Sequence, residues 1–272
     1  MKTISASKIK EKVSDLCIKA NLFLPLDVLK LLKNARRRET SQSARSALDA
    51  IITNAAVARR QKLAICQDTG LPVVFLELGQ DLRIRGSLKQ AIYQGVESGY
   101  RRGYLRESVV TDPVSRGKPV YRGAVIHTEI VKGNRLKITL MPKGFGCENK
   151  SQLVMLSPTA GVNQIKEFIV GAVRKAGADA CPPYIIGVGI GGTADYACLL
   201  AKIALLGRRT RSSRLEKELL KGINRLKIGP MGMGGKTTAL TVVVESAPTH
   251  IAGLPVAVNI SCHALRRAST VL

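Results

Sequence analysis

Residues 184–207 read YIIGVGIGGTADYACLLAKIALLG. An apolar, β-branched run gives way to glycines, and the glycines to an apolar stretch at helical spacing, which is the pattern of a buried strand feeding a helix. Strands buried on both faces belong to sheets covered by helices, so this stretch sets the expectation of an α/β fold. Gly187, Gly189 and Gly192 also form a GxGxxG-like run. A dinucleotide fingerprint would open the first βαβ unit and carry an acidic residue about 20 residues on, at the end of the next strand. This chain continues instead into LLGRRTRSSRLEK, and the dinucleotide reading is not adopted.

Outward from this stretch the same alternation recurs. Residues 5–58 carry apolar positions at three- and four-residue spacing (Val13, Leu16, Cys17; Val28, Leu29, Leu31, Leu32; Ala47, Leu48, Ile51, Ile52), punctuated by Pro25, and predict a helical lead-in over about 1–60. PVVFLELG predicts a strand, and SLKQAIYQGVESGYRRG a helix beginning at Ser87 and ending at Gly103. AVIHTEIV and RLKITLMP, on either side of KGN, predict a hairpin. VNQIKEFIVGAVRKAGAD predicts a helix, as do residues 213–226, while ALTVVVESA and VAVNISC predict strands. No Pro/Gly/Ser linker, repeat or low-complexity segment interrupts the chain. The expectation is one α/β domain over 1–272, with a mixed β-sheet flanked by helices.

The 272 residues are 45% hydrophobic, ample for a sizeable core. No apolar run approaches the roughly 20 residues needed to cross a bilayer, and MKTISASKIKEKVSDLC lacks a secretory apolar stretch, so the chain reads as cytosolic. A net charge of +24 permits nucleic acid, an acidic protein or anionic substrates as partners. The basic runs KNARRRETSQSARS and LGRRTRSSRLEKELLKGINRLK read as solvated helix faces and loops facing an acidic partner. Aromatic residues are only 4% of the chain, which argues against single-strand nucleic-acid binding. GPMGMGGKTT (229–238) fails as a phosphate loop: Pro230 stands where GxxxxGKT needs its first glycine, and the stretch leads into a strand rather than a helix.

Six cysteines in a cytosolic chain read as thiols or metal ligands rather than disulfides. Cys66 lies in the turn AICQDTGLPV, Cys181 opens CPPY ahead of the buried strand, and Cys262 comes directly after VAVNIS, so the three stand at strand ends and can converge on one sheet edge. Cys17 and Cys198 lie on apolar helix faces, where cysteine is usually a small core residue, and Cys147 in KGFGCENK is ambiguous. Spacing alone leaves buried structural thiols open for all six. Asp68, read by itself, suits an Asx-turn closing the loop before Gly70. His250, His127 and His263, read by themselves, suit strand-edge histidines with backbone partners.

CQDTG, YLRESVVTDP, AVIHTEIV, KGFGCENKSQ, DACPPYIIGVGIGGTADYACLLAK, GPMGMGGKTTAL and PTHIAGLPVAVNISCHALRRA, in this order over nearly the whole chain, together resemble the α subunit of the class I, iron–sulfur fumarate hydratase and tartrate dehydratase family. The resemblance implies a [4Fe-4S] cluster held by Cys66, Cys181 and Cys262, with one iron lacking a protein ligand and open to substrate. It implies Asp68 in proton transfer, with His250 paired to it, on a C4 dicarboxylate carrying a hydroxyl. Gln67 and Arg106 suit carboxylate binding, the guanidinium by a bidentate grip, and Gly144 and Gly146 fall where the family meets the substrate carboxylate. The implied reaction is reversible hydration of fumarate to malate, with tartrate dehydration as the nearest alternative. A silent, basic nucleic-acid or scaffold-binding paralogue has no reason to keep the three thiols with Asp68 and Arg106.

Two stretches depart from the family pattern. KGGGSEN reads KGFGCEN here, with Phe145 and Cys147, and SRGKPVYRG replaces a polar, Asn-rich segment. Both bear on substrate choice. In the family the remaining substrate contacts, a threonine among them, come from a second domain after the third cysteine, whereas this sequence reaches Leu272 soon after Cys262. A separate β subunit is therefore expected, in an assembly of two α and two β chains, with no membrane and no nucleic acid as partner.

Overall fold

The computed structural model describes residues 2–207 and 212–272; residues 208–211 of the second basic run lie outside them. A short strand β1 (Lys2–Ser5) leads into three helices, α1 (Ala6–Leu22), α2 (Leu26–Arg38) and α3 (Gln42–Gln61). Next come β2 (Leu71–Gly79), β3 (Leu82–Arg85), α4 (Leu88–Arg102), β4 (Val125–Val131) and β5 (Leu136–Lys143). The single turn α5 (Phe145–Glu148) and β6 (Gln152–Leu156) precede α6 (Val162–Ala176), β7 (Tyr184–Gly192) and α7 (Ala194–Ala204). The chain finishes with α8 (Arg214–Asn224), β8 (Ala239–Thr249), β9 (Leu254–Ser261) and β10 (Ala268–Val271).

Capping chemistry sets several of these ends. The Ser87 hydroxyl accepts from Gln90 N at 3.3 Å to start α4, and Gly103 ends it, as the sequence predicts. Ser213 and Glu216 form a reciprocal capping box at α8. No described helix is long and apolar enough to cross a membrane.

The chain folds as two compact units. One takes the segments up to Pro25, Ala55–Phe145 and Arg266–Leu272; the other takes Leu26–Asn54 and Gly146–Leu265. In the first, the four-stranded sheet runs β10-β5-β2-β4, and β1 pairs with β3 in a separate ladder. β10 and β5 are antiparallel, β5 and β2 antiparallel, β2 and β4 parallel. Ile9, Val13 and Leu16 of α1 and Ile92 and Val96 of α4 form the core with Val74, Leu76, Ile138 and Leu140. In the second unit the sheet runs β6-β9-β7-β8 with the same succession of antiparallel, antiparallel and parallel pairs. Its core joins Ile169 and Val173 of α6 and Leu219 and Ile223 of α8 to Ile186, Val188, Val242, Val258 and Ile260. Each unit thus repeats one β-α-β-β arrangement, in which the last strand returns to the far side of the first.

The glycines of 184–207 have a packing role. Side chains alternate across a strand, so Ile186 and Val188 enter the core while Gly187 and Gly189 face the other side. A Cβ on either glycine would stand 2.0 Å from a carbonyl of α7, Ala201 O or Ala197 O, so the helix backbone lies directly on the strand.

The α/β class, the mixed pairing and the helical lead-in agree with the sequence reading. Two expectations are corrected. The strands divide over two four-stranded sheets and a two-stranded ladder rather than one sheet. β4 and β5 do not pair as a hairpin, because β2 lies between them, registering Val73 with Val125 on one side and with Met141 on the other. The cause is burial: Val73–Leu76 are buried on both faces, so β2 takes the central position, whereas β4 exposes Val125 and Ile130 and suits an edge.

Candidate active site

In the first unit, antiparallel pairing of β2 with β5 puts Leu71 opposite Lys143. The loop CQDTG (66–70) before β2 therefore meets the turn after β5. Asp68 is held on both carboxylate oxygens: Oδ1 accepts from Gly70 N at 3.0 Å, an Asx-turn, and Oδ2 accepts from Phe145 N at 2.8 Å. A Cβ on Gly144 would stand 2.9 Å from Asp68 Oδ2, so a side chain there would displace the carboxylate. Gly70 has φ +74°, and its Cβ would meet the Lys143 backbone at 2.8 Å. Arg106 is brought to the loop through its backbone, its N donating to Thr69 Oγ1 at 3.0 Å, with its side chain exposed. Gln67 is exposed, Cys66 half-buried. Three further residues pin this loop and carry no sequence signal. The Tyr100 hydroxyl lies 2.8 Å from Thr69 O and 2.9 Å from Gly70 O; Asn21 O accepts from Ile65 N at 3.0 Å; and Arg266 Nη2 donates to Asp68 O at 2.7 Å. Burial pushes the Tyr100 phenol far up, which keeps its proton for donation.

In the second unit, β7 and β9 are antiparallel with Ile185 opposite Ser261, so Cys181 and Cys262 lie at the same end of the sheet. Cys181 is exposed, has φ +56°, and precedes the cis Pro182–Pro183 bond. Its carbonyl accepts from His263 N at 3.4 Å and lies 3.0 Å from His263 Nδ1, which donates when it carries the proton. Pro182 O accepts from Met231 N at 2.8 Å, so GPMGMGG serves as a clasp on the CPPY turn. The same clasp binds Glu39, whose Oε2 accepts from Lys236 N at 2.8 Å and Oε1 from Thr40 N and Ser41 N. Burial pushes the Glu39 carboxyl up, but these N–H donors and the Lys236 charge outweigh it and leave it below its ordinary value.

The sheets bear on two site expectations. The three thiols border two different sheets, Cys66 ahead of β2 and the other two beside β7 and β9, rather than one sheet edge. His250, expected to pair with Asp68, lies within its own unit away from Cys181 and Cys262. β8 runs parallel to β7 and ends with Thr249 opposite Gly192, which puts His250 at the far end of the sheet. With about 3.3 Å of rise per residue over Tyr184–Gly192, that end is roughly 25 Å away. His250 Nδ1 accepts from Ala252 N at 3.1 Å and caps its own turn.

Exposure sets the buried Cys17 and Cys147 apart from the other four cysteines, and none of the six forms a disulfide. Cys17 is fully buried, and burial pushes its thiol far up, away from the thiolate that metal binding needs. Cys147 is buried with Sγ 3.6 Å from Ala180 O. Burial also raises the Cys198 thiol, against the nearby Lys202 charge. Cys66, Cys198 and Cys262 are half-buried and Cys181 is exposed, so these four thiols are the accessible ones, and soft thiols are the donors an iron–sulfur group takes. Among the described residues no three His, Cys, Asp or Glu side chains are arranged around a single metal-ion position. A cubane cluster takes one thiolate per iron, so its cysteines do not converge on one point. A cavity of about 630 Å³ lies elsewhere, on α2 and α3, where Lys30, Lys33, Arg36 and Arg37 give it a basic rim.

Asn259 is a polar residue within the apolar run VAVNIS. It is buried and donates to Glu148 Oε2 at 3.0 Å and Ser151 Oγ at 2.8 Å, and Lys202 donates to the same Glu148 carboxylate. This network fixes the CENKS segment to β9 and α7. Gly146 has open space around its Cβ position, in contrast to Gly144.

Similarity to known proteins assigns this α/β chain to the hydro-lyases. The family model described as fumarate hydratase (Fumerase) matches residues 10–271, and the chain belongs to that family. It is 41% identical over 275 residues to a Methanocaldococcus jannaschii protein named "Putative L(+)-tartrate dehydratase subunit alpha", covering 96% of each chain. It is 30% identical over 275 residues to the "L(+)-tartrate dehydratase subunit alpha" of Escherichia coli strain K12, covering 97% of this chain and 91% of that one.

Proposed function

We propose that the chain is the catalytic α subunit of an iron–sulfur hydro-lyase, working as one catalytic domain over 1–272 and holding a [4Fe-4S] cluster on Cys66, Cys181 and Cys262. The observation that carries the ligand set is the bonding of His263 to the Cys181 carbonyl, which keeps two of the three thiol-bearing segments together at one sheet end. When bound, the cluster supplies an open iron that acts as a Lewis acid toward the substrate hydroxyl.

The chain's own residues do the rest. Asp68 is the proton-transfer group; its two backbone N–H donors hold the carboxylate in one orientation, which is the preorganisation such a step needs. Arg106 and Gln67, both exposed beside this loop, grip the carboxylates of a C4 dicarboxylate. Gly144 keeps the space beside Asp68 clear, and Gly146 leaves room for substrate. His250 keeps its proposed role as the partner of Asp68 in proton transfer.

The reaction proposed is reversible hydration of fumarate to malate. The names of the two relatives favour L(+)-tartrate dehydration as a second reading. "Subunit alpha" in those names supports a β partner, and the +24 charge suits an acidic one, in an assembly of two copies of each chain within the cytoplasm. Anaerobic assay of the chain with its β subunit on fumarate, malate and both tartrate enantiomers tests the reading. Turnover of one of these only when both chains are present is expected. Full turnover by the 272-residue chain alone, or none of any substrate by the loaded complex, would contradict it.

A further inference from the structure

We infer that Arg266 is a positioning residue that braces the Cys66–Asp68 segment from both sides; its consequence for catalysis rests on the reading proposed for Cys66 and Asp68. Arg266 is 4% exposed. One arm of its guanidinium, Nη2, donates to Asp68 O at 2.7 Å, and the other, Nη1, donates to Asn21 Oδ1 at 2.9 Å. Asn21, in the last turn of α1, accepts from Ile65 N at 3.0 Å through its main-chain carbonyl, and its side-chain amide donates to Cys17 O one turn earlier at 3.0 Å. The segment is therefore held at residue 65 through Asn21 and at residue 68 directly, with Cys66 between the two holds.

The chemistry favours a positioning role over simple filling. Burying a guanidinium against neutral oxygens is costly, and an apolar side chain of similar volume would pack at lower cost. What the guanidinium offers in return is a rigid planar fork whose two arms address two acceptors in a fixed relation, which an ammonium or an apolar group does not. Gly144 bears on the same place: its Cβ would stand 2.9 Å from Asp68 Oδ2 and 3.7 Å from Arg266 Nη2, so the fork and the carboxylate border one small space. Arg266 meets the main chain of Asp68, not a reacting group, and acts through Asp68 and Cys66.

Amide hydrogen exchange of the full chain, without cluster, separates this role from general stability. In Arg266→Met the Ile65 and Gly70 amides are expected to exchange roughly ten- to hundredfold faster, the loss expected for hydrogen bonds made by a charged donor. Amides in the β2–β5 ladder should keep their protection, and alkylation of Cys66 should speed up relative to Cys181 and Cys262. Arg266→Lys, which can reach one acceptor, should give a partial effect and decides the matter if the methionine variant does not fold. Unchanged exchange at Ile65 and Gly70, or an equal loss of protection across the whole ladder, would overturn the inference. In the loaded enzyme with its partner, kcat should fall in Arg266→Lys while KM changes little. If exchange responds as stated but Asp68→Asn retains full kcat, the bracing stands and the catalytic reading of Asp68 fails.

Discussion

Replacing Gly144 by alanine adds one methyl group and tests how tightly the Asp68 carboxylate is held. The new Cβ would stand 2.9 Å from Oδ2, where ordinary contact begins at 3.4 Å. The oxygen must retreat by roughly 0.5–1 Å to reach a comfortable separation. That retreat stretches the 2.8 Å bond from Phe145 N toward or past the limit of a hydrogen bond. Losing a bond to a charged acceptor costs about 1.5–3 kcal/mol, which thermal or denaturant unfolding will register. A catalytic group displaced by about 1 Å loses on the order of 10²-fold in rate, so kcat of the loaded complex should fall by that order, with cluster content unchanged. Gly146→Ala is the comparison for stability, because nothing lies within 4 Å of its Cβ position and the fold should not feel it. A Gly144→Ala enzyme with unaltered kcat and stability, or equal destabilisation by Gly146→Ala, would refute the reasoning.

Asp68→Asn should lower kcat by roughly 10²-fold or more with the cluster intact, the usual contribution of a positioned acid–base group. Arg106→Lys should mainly raise KM, because an ammonium loses the two-pronged hold on a carboxylate; indistinguishable kinetic defects would remove the ground for separate roles. Glu39 sits below its ordinary value of 4.5 in the folded state, so it contributes stability that is fully present above that pH and is lost as pH falls through its lower folded value. Glu39→Gln should therefore unfold more easily at neutral pH, by about 1–3 kcal/mol, with a shallower decline below pH 4.5 than the native chain; parallel acid profiles in pH-resolved thermal unfolding would contradict the role given to the clasp.

The elements were readable wherever periodicity and caps agreed. Ser87 and Gly103 bracket α4 as their chemistry dictates, and the 184–207 stretch folds as the strand and helix its pattern predicts. Pairing was not readable in the same way. β4 and β5 look like a hairpin locally, but the demand of β2 for neighbours on both sides is a long-range effect that neither strand carries in its own residues. The twofold β-α-β-β arrangement likewise leaves no repeat in the sequence, because each sheet needs only the right pattern of burial. At the site, cysteines and Asp68 could be named from their turns and from family likeness. Arg266, Asn21 and Tyr100 could not, because buried polar residues that serve a distant main chain resemble any other arginine, asparagine or tyrosine in a helix or loop. His250 shows the opposite: a histidine close to Cys262 in sequence falls at the far end of the sheet, since a strand of eight residues separates the two.

The central claim is that Cys66, Cys181 and Cys262 hold a [4Fe-4S] cluster with one iron left open. Iron and sulfide content, with the visible absorbance, of anaerobically reconstituted chain and its six single Cys→Ser variants tests it most directly. About four irons per native chain are expected, falling to about three in air as the unligated iron departs. Cys66→Ser, Cys181→Ser and Cys262→Ser should each lose the chromophore, while Cys17→Ser, Cys147→Ser and Cys198→Ser should keep it. A full cluster in Cys262→Ser, or its loss in Cys147→Ser, would contradict the ligand set.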